Sequence, residues 1–293
     1  MSIFGRISTA MVTPFDAKGY IDFQKTTYLV EYLIQHGSDS LVVAGTTGES
    51  PTLTKEEKIA LFKHVVKVVN GRVPVIAGTG SNNTKESVEL TKKAEEIGVD
   101  GILLVVPYYN KPNQEGIYQH FRAIAEATSL PVMLYNIPGR SGVNMLPETV
   151  IRLAEIPNVR AVKEAGGDLN QMSEIIANTP DDFALYSGDD SLTLPVLSIG
   201  GEGVVSVASH VVGDEMQKMI NAFFAGDYRT AQKWHHTLLP LMKGLFMAPS
   251  PAPVKTALQL TGLDVGSVRL PLVPLTAEER NRLMDLLKEV GKI

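Results

Sequence analysis

The chain has 293 residues, 44% of them apolar and 20% charged, which is ample material for one large core plus an appendage and excludes a disordered chain. A formal net charge of -5 and a pI of about 5.7 leave no broad basic face for nucleic acid or an anionic membrane, so small-molecule chemistry is the better expectation. The absence of cysteine removes disulfides, thiolate nucleophiles and zinc-thiolate sites together and fits a reducing compartment.

The N-terminal stretch MSIFGRISTAMVTPFD meets Thr9, Thr13 and Pro14 too early to supply the apolar core of a secretion signal. No later run approaches the length of a membrane span, so a cytoplasmic protein is expected. Eight short β-rich apolar runs then follow, at 7–12, 41–43, 73–77, 102–106, 132–135, 159–162, 183–186 and 204–207. Their starts are separated by about one strand, one helix and two loops. Between them, spacings such as Ile59, Phe62, Val66, Val69 and Ile117, Phe121, Ile124 predict crossover helices. Thr54 to Glu57 and Asn83 to Glu86 have capping-box spacing, and Pro147 suits a first helical turn. Eight strands alternating with helices favour a closed (β/α)8 (TIM) barrel over an open sheet. After about residue 226 the strand signal stops and helical spacing takes over in Trp234, Leu238, Leu241, Leu245 and in Leu283, Leu286, Val290, interrupted by the turn at 248–253. The predicted organisation is therefore a barrel over 1–226 and a C-terminal helical extension over 227–293.

In such a barrel, chemistry concentrates where strands end. The second run enters Gly45-Thr46-Thr47-Gly48-Glu49-Ser50, whose amides and hydroxyls could cradle a carboxylate but lack the lysine of a phosphate-binding loop. The fourth enters Pro107-Tyr108-Tyr109-Asn110, and the fifth Tyr135-Asn136-Ile137-Pro138-Gly139-Arg140. Arg140, after a Pro-Gly turn, is either a bidentate clamp for a substrate carboxylate or an ordinary loop arginine. Lys163 ends the sixth run. An amine there, activated by burial or a nearby cation, can attack a ketone and make an iminium that acts as an electron sink; the competing reading is a solvated lysine paired with Glu164. Tyr135 belongs to the adjacent strand and can meet Lys163 over the mouth to shuttle protons, unless it is a plain core tyrosine. Asp189 and Asp190 would repel a phosphate from the loop after the seventh run. The histidines show no metal-ligand spacing, and no metal is expected.

GTTGES (45–50), GTGSNNTKE (78–86), PYYNKPNQEGIYQHF (107–121), YNIPGRSGV (135–143), VKEAGGDL (162–169), SGDDSLTLP (187–195) and PVKTAL (253–258) together closely resemble the dihydrodipicolinate synthase family, in its order and approximate spacing over nearly the whole chain. The resemblance implies a lyase that condenses pyruvate with L-aspartate-4-semialdehyde, in the diaminopimelate route to lysine, without an external cofactor. It casts Lys163 as the Schiff-base lysine and Tyr135 as proton donor and acceptor. Thr46 and Tyr109 complete the relay, Tyr109 reaching a neighbouring subunit's site in a homo-oligomer, a tetramer built as a dimer of dimers. Thr47 matches a pyruvate-carboxylate contact and Val205, where relatives commonly have isoleucine, a backbone contact to pyruvate. Arg140 matches the group that receives the semialdehyde carboxylate, and Gly188 and Asp189 fall in the substrate region. A lysine-binding allosteric cleft would be lined by Ser50, Leu53, Asn82, Glu86 and Tyr108, with Lys58 standing where lysine-inhibited members usually carry histidine or glutamate. Sister families, N-acetylneuraminate lyase and the 2-keto-3-deoxy-sugar-acid aldolases, share the lysine and tyrosine, and Arg140 is the main discriminator against them. A non-catalytic keto-acid-binding barrel would have no need of the amine.

Overall fold

The computed structural model describes residues 3–293; the first two residues of the N-terminal stretch lie outside it. Eight parallel strands close into a barrel in sequence order: β1 (Ile7–Ala10), β2 (Ser40–Val43), β3 (Val75–Gly78), β4 (Gly101–Val105), β5 (Val132–Asn136), β6 (Val159–Glu164), β7 (Ala184–Ser187) and β8 (Gly203–Ser206), which returns to β1. β3 starts after Pro74, whose missing amide cannot join the ladder. β6 runs through Glu164, so Lys163 lies inside the strand and not just beyond it.

Helices α1 (Phe23–Gln35), α2 (Lys55–Val69), α3 (Thr84–Ile97) and α4 (Gln114–Ala125) follow the first four strands. α5 (Pro138–Ser141) and α6 (Pro147–Ala154) follow β5, α7 (Leu169–Asn178) follows β6, α8 (Thr193–Ser198) follows β7, and α9 (Ser209–Phe224) follows β8. Thr54 and Glu57 form the complete capping box expected of α2. Asn83 caps α3 through Glu86 N alone, so the second expected box is only half made. Pro147 opens α6, where its lack of an amide costs nothing. The C-terminal part is α10 (Tyr228–Gly244), α11 (Ala252–Leu260) and α12 (Ala277–Glu289). α11 starts inside the proline-rich stretch that sequence spacing read only as an interruption.

Strand alternation divides the core into two layers. Ala10, Val42, Ile76, Leu103, Met133, Tyr135, Ala161, Tyr186 and Val205 fill the barrel interior. Their outward neighbours, such as Leu41, Val43, Leu104, Leu134 and Val162, pack under the helices. Leu238, Leu241, Val254, Leu258, Leu283 and Leu287 belong to that same outer core, so the extension is continuous with the barrel packing. Among the described residues no helix is long and apolar enough to cross a membrane.

Candidate active site

Register places Tyr135 opposite Lys163, and Lys163 opposite Tyr186, across three adjacent strands. Lys163 is only 5% exposed, and its Nζ lies 4.1 Å from the Tyr135 ring centroid. The next residue points the other way. Glu164 is fully buried on the outer face of β6, accepting from Asn136 Nδ2 at 3.0 and 3.2 Å, Gln171 Nε2 at 3.0 Å and Gly166 N at 2.7 Å. Burial pushes its carboxyl above the usual range and those donors oppose the shift. The reading of Lys163 as a solvated partner of Glu164 is therefore overturned, because alternation along the strand sends the two side chains to opposite faces.

Above this layer is a cavity of about 200 Å³ whose walls include Thr46, Tyr135 and Arg140, together with Ser50, Tyr108 and Ser141. No hydrogen bond within the described chain occupies the side chains of Thr46, Thr47, Lys163 or Arg140, or the Tyr135 hydroxyl. Thr47 is buried in the same turn as Thr46 but is not part of the cavity wall. Arg140 is exposed on α5, at the end of a segment tied down by Asn144 Nδ2 donating to Gln171 Oε1 at 2.8 Å and by Ser141 Oγ donating to the Ile137 carbonyl at 3.0 Å.

Val205 lies in the interior layer of β8, opposite Ser8. Gly188 is where it is for space: a Cβ there would stand 2.6 Å from Ala165 Cβ and 3.1 Å from Lys163 Cε. The Asp189 carboxylate caps its own turn, accepting from Ser191 N and Oγ at 2.8 Å. Asp190 is 2% exposed and accepts from Ser206 Oγ, Val207 N and Ala208 N. The expectation of two carboxylates facing a ligand is thus corrected, since Asp190 faces the barrel-helix layer. Its burial raises its pKa against the pull of those donors.

Tyr109 stands apart from this cavity. It is 89% exposed and its backbone is left-handed, with φ 73, an unusual conformation for a bulky residue. Several of the lysine-cleft candidates lie close together. Asn82 Nδ2 donates to the Tyr108 carbonyl at 3.0 Å. Glu86 acts on both Lys58 and Tyr108: burial lowers the Lys58 ammonium's pKa and Glu86 opposes this, while burial raises the Tyr108 phenol and Glu86 adds to it. Leu53 is buried nearby in sequence, and Ser50 joins the group to the cavity wall. Lys55, one helical turn before Lys58, pairs with Glu89 at 2.8 Å.

Among the described residues no group of three or more histidines, aspartates or glutamates is placed to hold a metal ion. Sequence reasoning passed over Ser141 as a wall residue and Lys255 as a buried cation. Lys255 did leave a signal, as the single charge in the apolar run 252–258.

Comparison with known proteins brings these residues into context. The model of the dihydrodipicolinate synthetase family matches residues 3–290. The chain is 67% identical over 288 residues to the 4-hydroxy-tetrahydrodipicolinate synthase of Bacillus subtilis (strain 168), covering 98% of this chain and 99% of that one. A dihydrodipicolinate synthase from Bacillus anthracis superposes with a TM-score of 0.97 at 66% identity, covering 98% of this chain and 99% of that one. The enzyme from Cyanidioschyzon merolae, solved with lysine bound, gives a TM-score of 0.99 at 51% identity with full coverage of both chains.

Proposed function

The chain belongs to the dihydrodipicolinate synthetase family, and from that premise we infer how its residues work as a 4-hydroxy-tetrahydrodipicolinate synthase, a lyase joining pyruvate to L-aspartate-4-semialdehyde. The observation that carries the reading is Lys163: a buried amine in the barrel interior, stacked on Tyr135, with no carboxylate holding it. Its neutral form adds to C2 of pyruvate, and loss of water gives the iminium. A methyl proton then leaves to form the enamine, whose carbon attacks the aldehyde while the new alkoxide takes up a proton. The amino group of the joined chain adds to the iminium carbon and expels Lys163 as a free amine, closing the ring of (S)-hydroxytetrahydrodipicolinate.

Tyr135 and Thr46 exchange protons with the carbinolamine and the enamine. Thr47, Val205 and the Gly188-Asp189 segment hold pyruvate, and Arg140 receives the semialdehyde carboxylate at the outer end of the cavity. No external cofactor takes part, because the iminium is the electron sink. Tyr109, exposed on a left-handed backbone, completes the relay in the neighbouring subunit of a homo-oligomer, built as a tetramer of two dimers. The barrel over 1–226 carries the chemistry and the segment 227–293 supports it, in a cytoplasmic enzyme of lysine and diaminopimelate biosynthesis. Ser50, Leu53, Asn82, Glu86 and Tyr108 form the cleft for regulatory lysine, with Lys58 intruding on it.

Incubation with pyruvate and borohydride followed by peptide mapping tests the assignment. A reduced pyruvyl group on Lys163 is expected, and an adduct on another lysine, or none, removes it. Efficient cleavage of sialic acid would move the chain to the sister activity.

A further inference from the structure

Two charges that this chemistry does not use meet from distant parts of the chain. Glu49 follows the Thr46-Thr47-Gly48 turn, and Lys255 lies on α11. Lys255 Nζ stands 2.6 Å from Glu49 Oε1, and their side chains are 2% and 0% exposed. Lys255 also donates to the Ser267 carbonyl at 2.8 Å and sits 4.2 Å from the Phe15 ring centroid. The other Glu49 oxygen accepts from Arg269 N at 2.8 Å. The Arg269 side chain carries the connection to the Thr52 carbonyl and to Glu57 on α2.

A buried pair is a weak source of net stability, because both charges give up hydration that their attraction barely offsets. Burial pulls the Lys255 ammonium down to about 8, with Glu49 opposing the shift. What the pair supplies is geometry. Glu49 is left-handed, with φ 58, which a residue bearing a side chain adopts only when its surroundings impose it. In that conformation its amide donates to the Thr46 carbonyl at 3.0 Å, and Ser50 N donates to the Gly45 carbonyl at 3.2 Å, closing the turn. The Thr13 hydroxyl fixes the Gly48 carbonyl at 2.6 Å from the barrel side. Among the described residues, the Glu49 side chain is gripped only from the C-terminal segment.

We propose that Glu49 and Lys255 are positioning residues, through which the C-terminal segment holds the Thr46-Thr47 turn at the barrel mouth. The proposal rests on the reading in which those threonines serve the Lys163 site. Its scope is wider than that reading, since it makes residues beyond 227 determinants of the rate.

The test uses the full-length enzyme as Glu49→Gln, Lys255→Met and the double variant, with kcat, both KM values and pyruvate trapping on Lys163 measured per folded subunit beside Tm. Lys255→Met strands a buried carboxylate and should lower both Tm and kcat. In the double variant no buried charge is left, so Tm should recover. Its kcat should nevertheless stay at least about tenfold down, with trapping slowed in parallel, because a displaced turn misaligns the reacting groups. KM for the semialdehyde should be unchanged, since Arg140 is on another segment. A double variant that turns over at the wild-type rate overturns the proposal. If neither methionine-bearing chain folds, Glu49→Gln decides: a fall in kcat of about threefold or more supports positioning, and a smaller one overturns it. Failure of the unmodified enzyme to trap pyruvate on Lys163 would sink the underlying assignment instead, and is read independently of the variants.

Discussion

Lys163 and Lys255 are both buried, and each lies over an aromatic ring at nearly the same height, 4.1 Å above Tyr135 and 4.2 Å above Phe15. They differ in company. Lys255 has a carboxylate at 2.6 Å and a carbonyl at 2.8 Å, whereas Lys163 has neither among the described residues. A lysine tied to a carboxylate and a carbonyl links elements together; an amine without such partners is free to meet a substrate ketone. Burial alone therefore does not mark a nucleophile. The barrel keeps Lys163 uncommitted by strand alternation, which sends Glu164 outward to Asn136 and Gln171.

The comparison breaks most directly at Lys163. Lys163→Arg keeps a long basic side chain and loses the nucleophile, and turnover should fall by more than about 10³-fold, the scale on which removal of a nucleophile is felt. A steady-state assay of the purified variant checks this, with far-ultraviolet dichroism to show that it is folded. Retention of a tenth of the activity would mean that another amine forms the imine. Tyr135→Phe keeps the ring beneath the amine and removes only the hydroxyl, so it sharpens the comparison. Turnover should drop by about 10²- to 10⁴-fold, as expected for loss of a proton carrier, with Tm almost unchanged because that hydroxyl has no hydrogen-bond partner within the described chain. A variant at near-wild-type rate would reduce Tyr135 to a packing surface, the role Phe15 plays for Lys255.

How much of this was legible depended on how far apart the partners lie in sequence. The eight strands were readable because each is an apolar β-rich run bounded by a turn, and errors at their ends came from local events such as Pro74. Lys163, Tyr135, Thr46 and Arg140 were readable because a closed barrel gathers successive strand ends to one mouth. Glu164 was misjudged as a possible partner of Lys163 when neighbouring positions were treated as neighbours in space; the two-residue period of a strand already separates them. Glu49 and Lys255 could not be paired from sequence, since nothing local in either motif specifies which of many distant charges it meets. The same holds for Lys55, whose partner Glu89 lies on the next helix.

Arg140 tests the outer end of the same cavity. Unlike Lys163 it is exposed and stands on a short turn of helix, so it should govern the second substrate and leave the imine chemistry intact. Arg140→Ala should lower kcat/KM for aspartate semialdehyde by about 30- to 150-fold, the equivalent of about 2–3 kcal/mol for a lost charge-assisted contact. Borohydride trapping of pyruvate should continue at close to the normal rate. Equal losses in the two measurements would show that Arg140 shapes the whole mouth and not the second substrate's end of it.

Lys58, half-buried, lies between the other two cases. Burial lowers its pKa and Glu86 opposes the shift; in its protonated form it already occupies the field of Glu86, the carboxylate of the proposed cleft. Free lysine brings two further ammonium groups. Like charges about 4 Å apart at an effective dielectric near 20 repel by about 4 kcal/mol before screening and side-chain retreat. One third of that is about a tenfold loss of affinity. Lysine should accordingly inhibit weakly, with half-inhibition above about a millimolar, which corresponds to less than about 4 kcal/mol of binding free energy. Lys58→His should strengthen inhibition about tenfold at pH 8, where a histidine with its ordinary pKa near 6.5 is neutral and leaves Glu86 free for the ligand. The gain should shrink as pH falls toward 6 and the imidazole regains its charge. Lysine titrations of initial rate at the two pH values measure this directly. An unaltered midpoint in Lys58→His at both would mean that the Lys58 charge is not what weakens the cleft, and that packing at Leu53 or Tyr108 sets its affinity instead.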